Sequence, residues 1–452
     1  MSYKSFFKHY SLVLCVILIL ITHTTLAKQV SIENFKLDNG LEVVLLPNNR
    51  APVVYHGLWY KAGSADSPYN KTGLAHFVEH LMFKGTVKYP GDSFKLIINN
   101  LGGSQDANTS WDRTAYSITI AKEYLEKIME LESDRMANLA FNHNDVSKEL
   151  QVILQERRQE IESKPSRLLA EATNATFFWQ HPYGRPIIGY RNHMEGYTFN
   201  DAQLFYQTWY APNNAILVIA GDISKDNIMP LINKYYANIP AKKLPDKTEA
   251  REIEPNHNNC TTKVELRDTK LQQAYWESIY TAPNHNTANV KTEAALDLLQ
   301  FVLGEESLGR LRKILVDNQK IAFSATTSYS GGMIDPYSFS ITVSPINVID
   351  TAMTEYLVAS EINNLLTNGI NNNEFETAKQ QYINYFRFNH DSIISISQLV
   401  GENLAHGYTL NEIKNILTIL QSISVQQVND AARLVFSKPP KVIAYAYPII
   451  EN

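Results

Sequence analysis

Apolar and polar positions alternate along the chain in two successive halves that follow one order of elements. Each half begins with alternating, β-branched segments typical of strands, continues through amphipathic helices, and ends near a buried strand. Between the halves, residues 240–259 hold prolines among charged and amide residues without apolar periodicity, which is typical of a linker. We therefore predict an α+β fold of two similar lobes, residues 28–239 and 260–452, each a sheet layered with helices.

The same pattern predicts individual elements. In the first half it indicates strands within 31–61, joined by a hairpin turn at Asp38-Asn39-Gly40, and a helix over 71–83. We then expect helices over 94–100, 121–141, 144–163 and 200–208, a strand over 107–120, and a buried strand over 214–221. In the second half we expect strands at 262–281, 322–328, 337–344 and 442–446, and helices at 288–303, 307–317, 348–367, 373–389, 394–404 and 425–436.

The first residues have the pattern of an export signal. Two lysines precede an apolar run over residues 12–21, and residues 25–27 offer small side chains at the usual cleavage positions. The run is about ten residues long, short of the roughly 20 that span a bilayer as a helix. We predict that residues 1–27 are removed, which leaves a periplasmic or secreted protein with no stable membrane anchor. A retained anchor is the alternative.

Charge and cysteine content narrow the class of protein. The formal net charge is -5, and residues 1–27 contain two lysines and no acid, so the mature chain carries -5 - 2 = -7. This mild acidity argues against a nucleic-acid partner, which requires a basic face. Cys260 is the only cysteine left after removal of the signal, so no internal disulfide can form and the core must stabilise the exported protein.

The helix over 71–83 carries candidate chemistry. His76 and His80 are four residues apart and therefore lie on one helix face, with Glu79 beside them. Two neutral imidazoles at this spacing can hold a zinc ion, and a carboxylate beside the metal can take a proton from a water molecule that the metal activates. The alternative is a chance combination of three residues on an ordinary buried helix.

Zinc needs a third protein ligand. Residues 123–162 contain many acids, most of which are expected on solvated helix faces. Glu149 and Glu156 are separated by two helical turns and lie about 20° apart around the axis, with Ile153 on nearly the same face. A partly buried carboxylate needs a partner, and a metal ion is one. The spacing leaves Glu149, Glu156 and Glu160 open as the third ligand.

Several segments together carry a family pattern: WYKAGSADSPYNKTGLAHFVEHLMFKGT (59–86), LGGSQDANTSWDRTAY (101–116), VILQERRQE (152–160), HPYGRPIIG (181–189) and YAPNNAILVIAGDIS (210–224). In these segments the chain resembles the pitrilysin/insulinase family of zinc peptidases, in the branch that includes the mitochondrial processing peptidase. The resemblance is specific in the first lobe and looser in the second. It implies two similar lobes, each a mainly antiparallel sheet covered by helices, which enclose a cavity.

The resemblance also assigns roles to residues. It implies one zinc ion (Zn2+) per chain, held by His76, His80 and Glu156, and it makes Glu79 the catalytic base. Glu149 corresponds to a residue that supports a ligating histidine. Such a partner orients the imidazole and fixes its tautomer.

The segment around residue 107 resembles the edge strand to which the family adds an extended peptide through main-chain hydrogen bonds. The candidate substrate-binding residues are Gly103, Asp106, Ala107, Asn108 and Thr109. Asp106 stands where the family usually has Asn, and Asn108 where an aromatic residue is common. These departures are expected to affect side-chain preference rather than backbone pairing. A covered strand without a ligand is the alternative.

One departure concerns the partner. Family members that act alone, and the partner subunits of two-chain members, carry an Arg and a Tyr seven residues apart in the second lobe. Those residues contact the substrate. Here Val316 and Phe323 align with that pair, and neither side chain can donate a hydrogen bond. We therefore predict a heterodimer in which a homologous subunit supplies the Arg/Tyr pair. A homodimer or a monomer with another donor is the alternative.

The sequence thus predicts a zinc metalloendopeptidase that cuts peptides or unfolded polypeptides, with Glu79 as general base. Two rivals remain open. The first is a non-catalytic zinc-bearing scaffold or peptide-binding subunit, against which the retained Glu79 argues because a structural zinc site needs no base. The second is an envelope assembly factor that holds chains without cutting them.

Overall fold

The computed structural model describes residues 32–247, 251, 260–305 and 307–449. The predicted signal, residues 1–27, lies outside the described residues, and so does most of the second half of the predicted linker. Within the described part, the strands form two sheets, one in each half of the chain. No described helix is both long enough and apolar enough to cross a lipid bilayer.

The first sheet consists of β1 (Glu33–Lys36), β2 (Glu42–Pro47), β3 (Val53–Tyr60), β4 (Ser104–Thr109), β5 (Thr114–Ala121) and β6 (Ala215–Gly221). Its spatial order is β1-β2-β6-β3-β5-β4. The β2–β6 pair is parallel and every other neighbouring pair is antiparallel. β4 lies at one edge of this sheet, so no described strand pairs with its side facing away from β5.

The predicted hairpin turn joins β1 and β2. Gly40 adopts a φ of 89°, which side chains other than glycine rarely tolerate. A Cβ at this position would also lie 2.7 Å from the Cβ of Asn213. The side chain of Asn39 donates to the backbone oxygens of Tyr236 and Ile239, which ties the turn to the end of the lobe.

The helices of the first half are α1 (Leu74–Leu81), α2 (Ser93–Asn100), α3 (Leu125–Asn138), α4 (His143–Arg157), α5 (Pro165–Phe177), α6 (Arg191–Met194), α7 (Phe199–Trp209) and α8 (Lys225–Tyr235). α4 continues as a short π-helix over Arg158–Glu162. Apolar side chains of α1 pack with those of β2, β3 and β5 in a single core. Because α1 is embedded in this core, its polar face is held rigidly.

The second sheet consists of β7 (Thr262–Asp268), β8 (Tyr275–Ala282), β9 (Ala322–Tyr329), β10 (Tyr337–Pro345) and β11 (Val442–Pro448). Its order is β7-β11-β8-β10-β9, with only the β7–β11 pair parallel. The helices of the second half are α9 (Val290–Gly304), α10 (Arg310–Arg312), α11 (Asp350–Asn368), α12 (Asn372–Asn389), α13 (Ile393–Ala405), α14 (Leu410–Lys414), α15 (Ile416–Ser422) and α16 (Val425–Phe436). The two lobes therefore repeat one order of elements, as the sequence predicts.

The lobes exchange one helix each. α5 belongs to the first lobe but packs on β7 and β11, where Leu169 contacts Ala444. α13 belongs to the second lobe and packs on β3 and β6, where Val400 joins a core with Trp59. Gly401 lies so close to that indole that a Cβ would be 2.2 Å from its Cε2 atom. Each sheet is thus covered on its second face by a helix from the other lobe.

Some element predictions require correction. The strand predicted over 107–120 is a hairpin, β4 and β5, whose connection places Asp112 in full burial. No element was predicted for α5, α6, α8, α14 or α15. Part of the predicted linker contacts the first lobe. Lys242 donates to the backbone oxygen of Tyr210, and Lys247 pairs with Asp66. The exact lobe boundaries stay a prediction.

Candidate metal centre and active site

The histidine helix α1 begins at Gly73, which has a φ of 88° and whose carbonyl accepts the first helical hydrogen bond from Phe77. Leu74, Val78 and Leu81 are buried and fix the helix against the sheet. The opposite stripe of the helix carries the two histidines. Apolar spacing along α1 therefore decides which way the imidazoles point.

His76, His80 and Glu156 form the one group of potential metal ligands within the described ranges in which three ligand atoms lie within 4.8 Å of one another. Nε2 of His76 is 3.6 Å from Oε1 of Glu156, and Nε2 of His80 is 3.4 Å from Oε2 of the same carboxylate. The two imidazole rings lie 4.7 Å apart between centroids. α4 delivers Glu156 to this face because it packs directly against α1.

Glu149 contacts this cluster through His80. Its Oε1 is 2.9 Å from Nδ1 of His80, and its other oxygen pairs with Nζ of Lys84. A carboxylate at Nδ1 holds a ring proton there, so Nε2, which faces Glu156, is the nitrogen available to a metal ion. Glu160, the third acid that spacing left open, pairs instead with Lys164 at 2.6 Å on the surface.

The donor set fits a zinc ion. Two imidazole nitrogens and one carboxylate form the three-ligand set that catalytic zinc sites use. Burial, and next the neighbouring His80, lower the pKa of His76 to about 4, so His76 is neutral as a ligand must be. Burial opposes a charge on His80, but Glu149 and Glu156 outweigh it and raise the pKa of His80 to about 9. The carboxylates thus favour a positive charge at this point, which a divalent cation would supply.

Glu79 lies beside the cluster but does not belong to it. Its side chain is buried, and its Oε2 accepts a hydrogen bond of 2.5 Å from Oγ1 of Thr109. Burial raises the pKa of Glu79, while the hydrogen bond from Thr109 opposes that rise. A carboxylate with a raised pKa, oriented next to a metal site, has the character of a general base.

The cluster opens into a cavity of about 820 Å³ between the two lobes. Of the five residues predicted to bind substrate, Ala107, Asn108 and Thr109 line this cavity, whereas Gly103 and Asp106 are not among its described lining residues. Asn108 is also held in place, because the guanidinium of Arg113 donates to its backbone oxygen at 3.1 Å and to its side chain.

The second lobe supplies the far wall of the cavity. Val316 packs against the second-lobe core, and Phe323 is 53% exposed on the edge strand β9. Neither residue is among the described residues that line the cavity. Most of the described second-lobe residues that line the cavity carry a hydroxyl group. The set is Glu277, Ile279, Ser328, Ser330, Tyr337, Ser338, Ser340 and Thr342.

Sequence reasoning missed two parts of this site. The contact between Thr109 and Glu79 joins residues 30 positions apart, and no local pattern indicates it. The wall in the second lobe was also missed, although a signal exists. In β8, polar Tyr275 and Glu277 alternate with buried Trp276, the pattern of a strand with one face toward solvent or a ligand.

The His-His-Glu cluster with a buried carboxylate beside it, in a cavity between two similar α+β lobes, fits a zinc metallopeptidase. The insulinase (peptidase family M16) profile matches residues 43–191, and the peptidase M16 inactive-domain profile matches residues 196–382. The chain belongs to the M16 (insulinase) peptidase family.

Curated relatives agree with this assignment. The chain is 31% identical to the zinc protease PqqE of Helicobacter pylori over 297 residues, which are 65% of each protein. It is 24% identical to the uncharacterized zinc protease YmxG of Bacillus subtilis over 90% of this chain and 96% of that one. A mitochondrial-processing peptidase subunit beta of Neurospora crassa is 30% identical over 45% of this chain and 43% of its own length. The alignments thus span between less than half and nearly all of these relatives. Together they support a peptidase function in general.

Solved structures show the same fold. A protease from Helicobacter pylori superposes with a TM-score of 0.85 at 24% identity, covering 93% of this chain and 100% of that one. The first half of the periplasmic protease PqqL from Escherichia coli gives 0.78 at 20% identity, covering 92% of each chain.

Proposed function

We propose that the chain is a zinc-dependent endopeptidase that hydrolyses peptides or unfolded polypeptides in the cavity between its lobes. One observation carries the proposal. The Nε2 atoms of His76 and His80 converge on the carboxylate of Glu156, while a second buried carboxylate, Glu79, is held beside them by Thr109. A structural metal site would need no second carboxylate in that place.

When bound, a zinc ion would act as a Lewis acid toward the scissile carbonyl and the attacking water. His76, His80 and Glu156 would hold it, and Glu149 would keep the proton of His80 on Nδ1. Glu79 accepts the proton of the water and then gives it to the leaving amine. The free edge of β4 binds the peptide as an additional strand through its backbone.

The test compares two isosteric changes. Glu79→Gln keeps the ligands and removes the base, so we expect full zinc content and a loss of peptide cleavage of at least about 10²-fold. Glu156→Gln removes one of three ligands and should lose zinc as well. Zinc content by atomic absorption and cleavage of a quenched fluorescent peptide give both readouts. Wild-type cleavage by Glu79→Gln would refute the role of the base.

The position of Val316 and Phe323 favours a heterodimer over a chain that acts alone. We propose that a homologous subunit supplies the Arg and Tyr that this chain lacks there. A chain that acts alone would have to use hydroxyl donors of its own wall, such as Tyr337, which now donates to Oδ1 of Asn174 at 2.6 Å. The alternative is a non-catalytic zinc-bearing scaffold or peptide-binding subunit of an envelope assembly. Purification from the native source and assay of the isolated chain decide this. Full activity that survives dilution would exclude the heterodimer.

We also propose that the protein is exported to the periplasm or secreted. The lysine-flanked apolar run within residues 1–27 supports this, and a structural neighbour from Escherichia coli is described as periplasmic. N-terminal sequencing of the native protein should find a start at or near Lys28. An intact Met1 on the native protein would contradict the proposal.

A further inference from the structure

The face of the second sheet that lines the cavity differs from the face that packs in the core. On β8, Trp276 and Tyr280 point into the second-lobe core, and on β10 Phe339, Ile341 and Val343 do the same. The alternate positions face the cavity, because successive side chains of a strand point to opposite faces. Among these positions, Glu277 carries the one carboxylate of the described second-lobe lining.

The charged groups of the cavity can be assigned one by one. Five glutamates line it among the described residues, and Arg167 is the one lining lysine or arginine. Glu156 belongs to the metal cluster and Glu79 is held by Thr109. Glu160 pairs with Lys164, and Glu171 forms a bidentate pair with Arg157. These four acids thus have a cation or a role in the proposed chemistry.

Glu277 has neither. No described lysine, arginine or histidine forms an ion pair with it, Arg167 included, since none lies within 4.0 Å. Its partners are neutral hydroxyls. Tyr275 donates to Oε2 at 2.7 Å, and Thr342, its cross-strand neighbour, is 3.5 Å from Oε1. Burial raises the pKa of Glu277, and hydrogen bonds from Tyr275, Ser340 and Thr342 oppose that rise.

This arrangement favours a cationic guest. The carboxylate of Glu277 lies in a partly enclosed site without a described positive charge to stabilise its ionised form. A lysine or arginine side chain of a bound peptide would supply that positive charge together with hydrogen-bond donors. The hydroxyls of Tyr275 and Thr342 hold the carboxylate in one orientation.

We propose that Glu277 forms a subsite on the second-lobe wall for a basic side chain of the bound peptide. The inference rests on the proposed peptidase function, which it deepens by naming the substrate class. The first lobe would supply the chemistry, and the second lobe would select peptides that carry a lysine or arginine at a fixed distance from the bond that is cut.

The experiment uses the zinc-loaded full chain, with its partner subunit if one copurifies. A neutral parent peptide is compared with a set in which one lysine moves through successive positions, and kcat/KM is measured for each. We expect one position at which lysine raises kcat/KM about tenfold over the parent peptide in the wild type. In Glu277→Gln the ratio of kcat/KM for that lysine peptide to kcat/KM for the neutral parent should fall to about one.

The matched control is Glu265→Gln. Glu265 lies on β7 of the same sheet with its side chain about half exposed and paired with Arg267. Its neighbours Val264 and Leu266 pack toward α5, so Glu265 points away from the cavity. The control removes the same charge from the same sheet and should keep the lysine preference. Loss of the preference in this variant would show a general charge effect and overturn the proposal.

Two outcomes separate this inference from the proposed function. If the wild type cleaves peptides without any lysine preference, or Glu277→Gln keeps that preference, the subsite is wrong and the peptidase stands. If no peptide is cleaved, binding of the lysine peptides to Glu79→Gln is measured by fluorescence anisotropy. Tighter binding of one lysine peptide that Glu277→Gln abolishes would then support the subsite although the peptidase function fails, and equal binding of all peptides would overturn the subsite too.

Discussion

Replacement of Glu149 by Gln tests the assignment of the acids on α4. The change preserves shape and removes the charge that faces Nδ1 of His80 at 2.9 Å. Gln can present its NH₂ group to that nitrogen or its oxygen, so the tautomer of His80 is no longer fixed. The variant also leaves Nζ of Lys84 without its carboxylate. Glu149→Gln should therefore weaken zinc binding without abolishing it.

The magnitude follows from the contact. Glu149 has a side chain only 8% exposed, and His80 one 23% exposed, so solvent screens the interaction incompletely. Partners of ligating histidines typically contribute a factor of 10–100 to metal affinity, which corresponds to about 1.4–2.8 kcal/mol. Loss of a direct ligand, as in Glu156→Gln, should cost more than this range.

The assay is a competition for zinc against a chromophoric chelator at fixed pH. Glu160→Gln is the matched control, since it removes the same charge one turn beyond Glu156 from a side chain that is 55% exposed and paired with Lys164. An exposed pair contributes little, so the control should bind zinc as the wild type does. Unchanged affinity in Glu149→Gln, or an equal loss in Glu160→Gln, would refute the reasoning.

Two further predictions concern the base and the second lobe. Thr109→Val should keep zinc and lower kcat about tenfold because Glu79 loses its hydrogen bond, and Thr109→Ser should restore kcat; a variant with wild-type kcat would contradict this. Burial, and next the carboxylate of Glu293, raise the pKa of Asp297 well above its usual range. The folded state therefore binds that proton more tightly than the unfolded chain, and the resulting stability is present below about pH 3.9 and lost as pH rises. Accordingly, the melting temperature of Asp297→Asn should rise relative to that of the wild type from about pH 4 to neutral pH, and a constant difference across this range would contradict the assignment.

Local sequence patterns were sufficient to predict elements whose own residues specify the structure. α1 was predicted because its apolar residues recur at helical spacing, and the core confirms that spacing. The hairpin at Gly40 was predicted because the turn residues are specific. For such elements, the sequence and the tertiary environment favour the same structure.

Patterns failed where contacts between the lobes decide the structure. The connection between β4 and β5 was not recognised because its Asp112 is fully buried, pairs with Arg251 at 2.7 Å, and accepts from the backbone of Ile334 in the second lobe. α5 was missed for a related reason. Its apolar contacts lie on the sheet of the other lobe, and Pro165 at its first turn was the one local signal for its start.

The site shows the same limit. Spacing placed Glu149, Glu156 and Glu160 on one helix but could not rank them, since their roles depend on how α4 crosses α1. The structure separates them by contact: Glu156 meets both imidazoles, Glu149 meets only His80, and Glu160 turns to Lys164. Family resemblance chose Glu156 and Glu149 for the same places, but the crossing of two helices is the physical cause.

The exchange of helices explains why one lobe can carry the chemistry and the other the selection. α5 lines the cavity from the first lobe while it packs on the second sheet, so one helix contacts both sides of the cavity. A substitution on β8 or β10 can then change the wall without contact to His76, His80 or Glu156. The zinc ligands are constrained by coordination geometry, whereas the wall is constrained only by the fold of its sheet and by the peptide it meets. Differences in substrate between chains of this architecture should therefore arise first in the cavity face of the second sheet, at positions such as Glu277.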